Sequence, residues 1–122
     1  MLHVISLYSV AASSAAPFVH SIRTGEWHTL ARRVAPALVA TDLLERQLSP
    51  MPPFLSRSST LFICLDFWSS PEAYRRASQQ PACQALLVAR RQMASSTFEL
   101  GEFCFPAPIE LESMVPQAVA RS

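Results

Sequence analysis

The chain is patterned in blocks whose apolar positions recur every two residues in some stretches and every three to four in others. "LHVISLYSV" (2–10) is rich in β-branched and aromatic residues and lacks the polar positions a surface helix needs, so it predicts a strand buried on both faces. Composition then turns to Ala and Ser, and Phe18, Val19 and Ile22 fall at helical spacing before Thr24-Gly25 interrupts. Thr24 is placed to cap a second helical segment, "GEWHTLARRVA", whose Glu26 sits where a carboxylate suits the helix dipole. Pro36 ends that stretch. "LVATDLLERQL" (38–48) follows as a strand, and "SPMPPFLSRSS" (49–59), with three prolines and four serines, reads as a loop because proline cannot donate to a ladder.

"TLFICLDFW" (60–68) is the clearest strand of the chain. Leu61, Ile63, Leu65 and Phe67 share one face, and Phe62, Cys64, Asp66 and Trp68 share the other, so both faces are apolar enough to need cover. In "SSPEAY", Ser69 or Ser70 is the helix cap, Pro71 lies in the first turn where its missing N–H costs nothing, and Glu72 lies near the positive helix end. Gln80-Pro81 breaks this helix. "ACQALLVARRQMA" resumes it, with Leu86 and Met93 on one side, and "STFELGEFCFP" (96–106) is a last strand with a bulge or close approach at Gly101. Residues 107–122 read as a tail outside a domain spanning 1–106.

The order is therefore β, broken α, β, β, broken α, β. Two split βαβ units in tandem predict an α+β, ferredoxin-like fold, an antiparallel four-stranded sheet with its helices on one face. Helices cover one face only. The apolar second faces of the first and third strands then predict a homodimer, since a two-fold interface uses one patch twice and closes the pair into a dimeric α/β barrel.

Composition changes this picture by exclusion. All ten basic residues are arginine, scattered as three pairs (Arg32-Arg33, Arg75-Arg76, Arg90-Arg91) and single residues, and the net charge is +1, which leaves no basic stripe for nucleic acid. The charged fraction is only 16%, consistent with a partner covering apolar surface. No stretch reaches the roughly 18 consecutive apolar residues of a membrane span, and no Lys or Arg precedes the N-terminal apolar run as a signal peptide requires. A cytoplasmic protein is expected. Cys64, Cys83 and Cys104 are widely spaced, read as buried small hydrophobes. With only Gly25 and Gly101 in the chain, no glycine-rich phosphate cradle can be built, and no cofactor and no metal site are expected.

The element order, "LVATDLLERQ" and above all "LFICLDFWSSPEAYRRASQQPACQAL" resemble the antibiotic biosynthesis monooxygenase family of dimeric α/β barrels, over roughly residues 2 to 105. The resemblance implies a cofactor-independent monooxygenase acting on a small apolar or phenolic metabolite, with a non-catalytic small-molecule-binding protein as the alternative. Family oxygenases that turn polycyclic phenols into quinones carry a Trp at the end of the third strand and a Tyr six residues on, which Trp68 and Tyr74 match. The family's Asn four residues before the Trp is Cys64 here, and its second-helix Arg corresponds to Arg90 or Arg91, although simple alignment puts Val88 in its place. The haem-degrading branch uses an Asn on the first strand and a His on the second helix. This chain has no asparagine and no histidine after His28.

Asp66 shares a face with Trp68 in an apolar strand, so it is either a pocket base, its pKa raised by desolvation, or the ion-pair partner of a helix arginine. Asp66, Trp68 and Tyr74 are the candidate catalytic residues. Tyr8, Phe62, Cys64, His28 and Arg90 are the candidate substrate-binding residues, His28 as a titrating group at a pocket rim.

Overall fold

A computed structural model describes residues 1–47 and 59–106. Strand β1 (Leu2–Ala11) runs through a single 3₁₀ turn into helices α1 (Ala15–Arg23) and α2 (Glu26–Val34). Strands β2 (Leu38–Glu45) and β3 (Ser59–Trp68) follow, then helices α3 (Pro71–Ser78) and α4 (Pro81–Gln92), then strand β4 (Ser96–Cys104). The strands pair antiparallel in the order β2-β3-β1-β4, the ferredoxin-like arrangement expected from the element order. Most of the proposed loop 49–59, and the tail 107–122, lie outside the described residues; Ser59 itself opens β3. Among the described residues, no helix is long and apolar enough to cross a membrane.

The helix breaks have local causes. Gly25 separates α1 from α2 because a Cβ there would stand 2.8 Å from the Ser21 Cα and 3.0 Å from the His20 carbonyl oxygen. No larger residue fits that approach. The N-cap of α2 is Gly25 and carries no side-chain bond, which corrects the expectation for Thr24. Thr24 instead closes α1, its N–H donating to the His20 carbonyl at 3.0 Å. At the third strand's exit, Ser70 is the capping residue, its Oγ accepting from the Ala73 N–H at 3.0 Å with Pro71 in the first turn. Pro81 opens α4 in the same first-turn position, so the second break is a proline starting a new helix.

Even-numbered residues of β1 and β3 face the helices and form the core, where Val10, Phe62 and Trp68 meet Phe18, Ile22, Trp27, Cys83 and Leu86. The expectation that both faces of these strands are buried is corrected for a single chain: odd-numbered His3, Ile5, Leu7, Ile63, Leu65 and Phe67 are half-buried. They are screened by neighbouring strands and open above. The edge strands extend that open apolar face, with Leu44 opposite Ile63 and 51% exposed, Phe98 opposite Leu7 and 64% exposed, and Phe103 opposite His3 and 47% exposed.

Gly101 marks a bulge, as its sequence position suggested. The β1–β4 register shifts between Ile5 and Ser6, leaving Leu100 as the extra residue, and Gly101 takes a φ of 139° that L side chains rarely adopt. The bulge re-aims the strand beside the cavity described next.

Candidate functional site

The two faces of β3 divide the site from the open surface. Alternation puts Cys64, Asp66 and Trp68 under the helices, and antiparallel pairing sets Asp66 between Val4 of β1 and Thr41 of β2. A carboxylate in that position cannot stay ionised without partners. It has four. Arg90 donates from Nη1 to Oδ1 and from Nη2 to Oδ2, each at 2.7 Å, while Thr41 Oγ1 donates to Oδ1 at 3.0 Å and the Cys64 thiol lies 3.8 Å from Oδ1. Both charged side chains are almost fully buried, 4% exposed for Arg90 and 3% for Asp66.

Arg90 reaches this position because α4 buries Cys83, Leu86 and Arg90, which are three and four residues apart and therefore share a face. Its guanidinium lies 4.9 Å from the Trp27 ring centroid and 5.3 Å from that of Tyr8, and its Nε–H donates to the Tyr8 hydroxyl at 2.8 Å. Trp27 is itself fixed by donating Nε1–H to the Leu86 carbonyl at 2.9 Å. Burial alone would lower the Arg90 pKa, but the adjacent Asp66 carboxylate overrides it and raises the value, so the guanidinium stays charged.

A cavity of about 260 Å³ opens between the sheet and helices α3 and α4, on the site's side of the sheet. Tyr8 and Ser6 line it from β1, Asp66 and Trp68 from β3, Tyr74 from α3, Leu87, Arg90 and Arg91 from α4, and Thr97 and Glu99 from β4. Trp68 and Tyr74 meet edge to face with ring centroids 5.0 Å apart. The Trp68 Nε1–H is buried and has no hydrogen-bond partner among the described residues. Burial raises the pKa of Tyr74, with Glu99 and Glu102 adding to the shift, and burial likewise raises that of Tyr8 against the opposing pull of Arg90. Both phenols are neutral at pH 7.

Of the residues singled out from sequence, the structure brings Asp66, Trp68, Tyr74, Tyr8 and Arg90 to this one cavity. The carboxylate of Asp66 is an ion-pair partner, not a free base, because Arg90 occupies both its oxygens. Cys64 does not line the cavity; it lies two residues before Asp66 on the same face of β3, its thiol 3.8 Å from Asp66 Oδ1. Phe62 packs on Phe18 with ring centroids 5.2 Å apart and lines a separate groove beside α1. His28 is half-buried on α2 and is not part of the cavity wall. Thr41, Ser6, Thr97 and Glu99 are additions, set by strand register. Among the described residues, no group of three or more His, Cys, Asp or Glu side chains is arranged to hold a metal ion.

Thiol chemistry follows from this placement. Burial, reinforced by Asp66, pushes the Cys64 thiol up to about 12, and burial also raises Cys83, whereas Cys104 is exposed. One fast thiol per folded chain is therefore expected with an aromatic disulfide reagent at pH 8, rising to three on denaturation; three fast thiols in the native protein would contradict the buried site. The same shift acts on stability. A thiol whose folded pKa exceeds its unfolded value of 9.0 contributes nothing to pH dependence below that value, and stability falls as pH rises from there through about 12.

No family profile and no curated protein sequence matches the chain. Its similarity to solved structures is clear at the level of the fold. An ethyl tert-butyl ether degradation (ethd) family protein from Bacillus halodurans C-125 superposes with a TM-score of 0.58 at 17% identity, covering 87% of this chain and 99% of that one. SnoaB, a cofactor-independent oxygenase from Streptomyces nogalater, gives 0.50 at 18% identity, covering 89% and 95%. A candidate antibiotic biosynthesis monooxygenase from Deinococcus radiodurans gives 0.50 at 14% identity, covering 90% and 97%. The resemblance read from "LFICLDFWSSPEAYRRASQQPACQAL" is thus met by a shared ferredoxin-like fold with proteins of that description.

Proposed function

We propose that the chain is a cofactor-independent monooxygenase of a small apolar or phenolic metabolite, working as a homodimer. The observation that carries this reading is the cavity whose wall pairs Tyr74 with Trp68, an indole with an unsatisfied Nε1–H. The shared fold with SnoaB, a cofactor-independent oxygenase, supports it.

In such chemistry the substrate is the reductant. An ionised phenol or enol transfers electrons to dioxygen, one oxygen atom forms a carbon–oxygen double bond at a substrate CH₂, and the other leaves as water with the two hydrogens of that carbon. The protein supplies orientation and a dry enclosure. Trp68 and Tyr74 are assigned the contacts to substrate, with Trp68 Nε1–H donating to the substrate oxygen. Asp66 is assigned a positioning role, holding Arg90 in the wall. With the carboxylate so engaged, removal of the substrate's proton is not assigned to Asp66.

One observation favours a second reading. The site's buried carboxylate is committed to Arg90 and Thr41, which leaves the exposed Glu99 as the other carboxylate in the wall and no buried free base, as a non-catalytic binding protein would have. Oxygen uptake separates the two. On incubation with anthrone or naphthols, without flavin, metal or nicotinamide, an oxygenase consumes one dioxygen per quinone formed. The rate is expected to fall at least tenfold in Trp68→Phe and in Tyr74→Phe, with circular dichroism unchanged. Tight binding of these compounds without uptake would establish the binder.

The homodimer is supported by the open sheet face, where Ile63, Leu7, Leu44 and Phe98 form a continuous apolar surface opposite the helices.

A further inference from the structure

The Tyr8 side chain is hydrogen-bonded on one side only. Its oxygen accepts from Arg90 Nε–H at 2.8 Å, and this is its one hydrogen bond among the described residues. A guanidinium has donors and no acceptor, so the phenol proton cannot be turned toward Arg90. It must project elsewhere. Tyr8 is 1% exposed and is enclosed by protein on its other sides. The open space against it is the cavity, which Tyr8, Arg90 and Trp68 all line.

We propose that the Tyr8 hydroxyl is the specificity determinant of this cavity, donating its proton to a carbonyl or ionised hydroxyl oxygen on an otherwise apolar ring compound. The proposal rests on reading the cavity as a ligand site and not on turnover. Arg90 donates to the phenol oxygen from behind, which makes its O–H a stronger donor than the same buried phenol would be without that contact. It does so without demanding an anion, because Asp66 balances its charge at 2.7 Å. At the wall, Arg91 and Glu99 are of opposite sign and together add no net charge. The ligand class is therefore set by one oxygen acceptor on a hydrophobic frame. A buried donor of this kind discriminates against the analogue that lacks the acceptor, since its own hydrogen bond is then unmade.

The test compares two probes with the same carbon frame, 1-tetralone and tetralin, titrated calorimetrically into the full-length protein. The ratio of their dissociation constants is expected to change at least tenfold against the ketone in Tyr8→Phe, with tetralin binding nearly unaltered. Taking the ratio within each variant removes any general loosening caused by stranding Arg90 Nε. An unchanged ratio would overturn the proposal, as would the absence of binding by either probe at millimolar concentration. If Tyr8→Phe does not fold, the wild-type chain labelled with 3-fluorotyrosine serves instead, because it contains only two tyrosines. The ¹⁹F resonance that survives in Tyr74→Phe belongs to Tyr8. It should shift with 1-tetralone and stay in place with tetralin, and equal shifts would overturn the assignment. Binding without oxygen uptake sinks the oxygenase reading and leaves this one standing.

Discussion

Asp66→Asn is expected to lose about 3–5 kcal/mol of folding stability, a drop in melting temperature on the order of 10–20 °C, while keeping the shape of the side chain. The loss comes from Arg90. Its charge is 4% exposed, and once the carboxylate is gone it keeps only the Tyr8 oxygen and the faces of Trp27 and Tyr8. A hydrogen bond to a neutral amide does not replace an ion pair whose two contacts are each 2.7 Å long. Replacing both partners together, Asp66→Leu with Arg90→Met, is expected to recover most of the loss, since an apolar pair carries no desolvation cost. The pair lies away from solvent, so the defect should be insensitive to salt between low and physiological ionic strength. Thermal unfolding of the three proteins side by side is the measurement. A melting point of Asp66→Asn within a degree or two of wild type, together with lost activity, would instead make the carboxylate a base.

This contrast shows which parts of the site can be read from sequence. The strand over 60–68 is legible because alternation fixes which residues share a face, and "SSPEAY" is legible because a cap and a first-turn proline act locally. That is why Asp66, Trp68 and Tyr74 fall together as expected. The partner of Asp66 is harder. Arg90 and Arg91 are adjacent, and helical register alone decides which is buried; the spacing of Cys83, Leu86 and Arg90 carries that signal once Pro81 is known to begin the helix. Thr41 carries no such signal. Its place opposite Asp66 depends on strand pairing across a register shift between Leu38 and Ala40, a non-local fact. His28 fails as a rim residue for the opposite reason. Gly25 restarts the helix, so the side of α2 that meets α4 is set by Trp27, whose ring closes over Arg90.

Ile63→Glu is expected to convert a dimer into a monomer. Ile63 lies at the middle of β3 on the face away from the helices, flanked across the strands by Leu7 and Leu44. In a single chain its side chain is half-buried and a glutamate there can extend its carboxylate into water, so folding is little affected. Against a second sheet the same carboxylate would be desolvated among apolar side chains with no partner, at a cost of several kcal/mol on each side of a two-fold interface. Two chains of 13.5 kDa make a 27 kDa dimer, and the variant should sediment as a single 13.5 kDa species at micromolar concentration. Its dissociation constant should rise at least about 100-fold, which corresponds to roughly 2.8 kcal/mol. Val88→Glu is the control, since Val88 is 44% exposed on α4, on the helical side of the sheet. A 13.5 kDa wild type, or a dimer that survives Ile63→Glu, would leave the open face to some other occupant. The melting point should separate as well: the wild type should melt higher with increasing protein concentration because association is linked to folding, and Ile63→Glu should not.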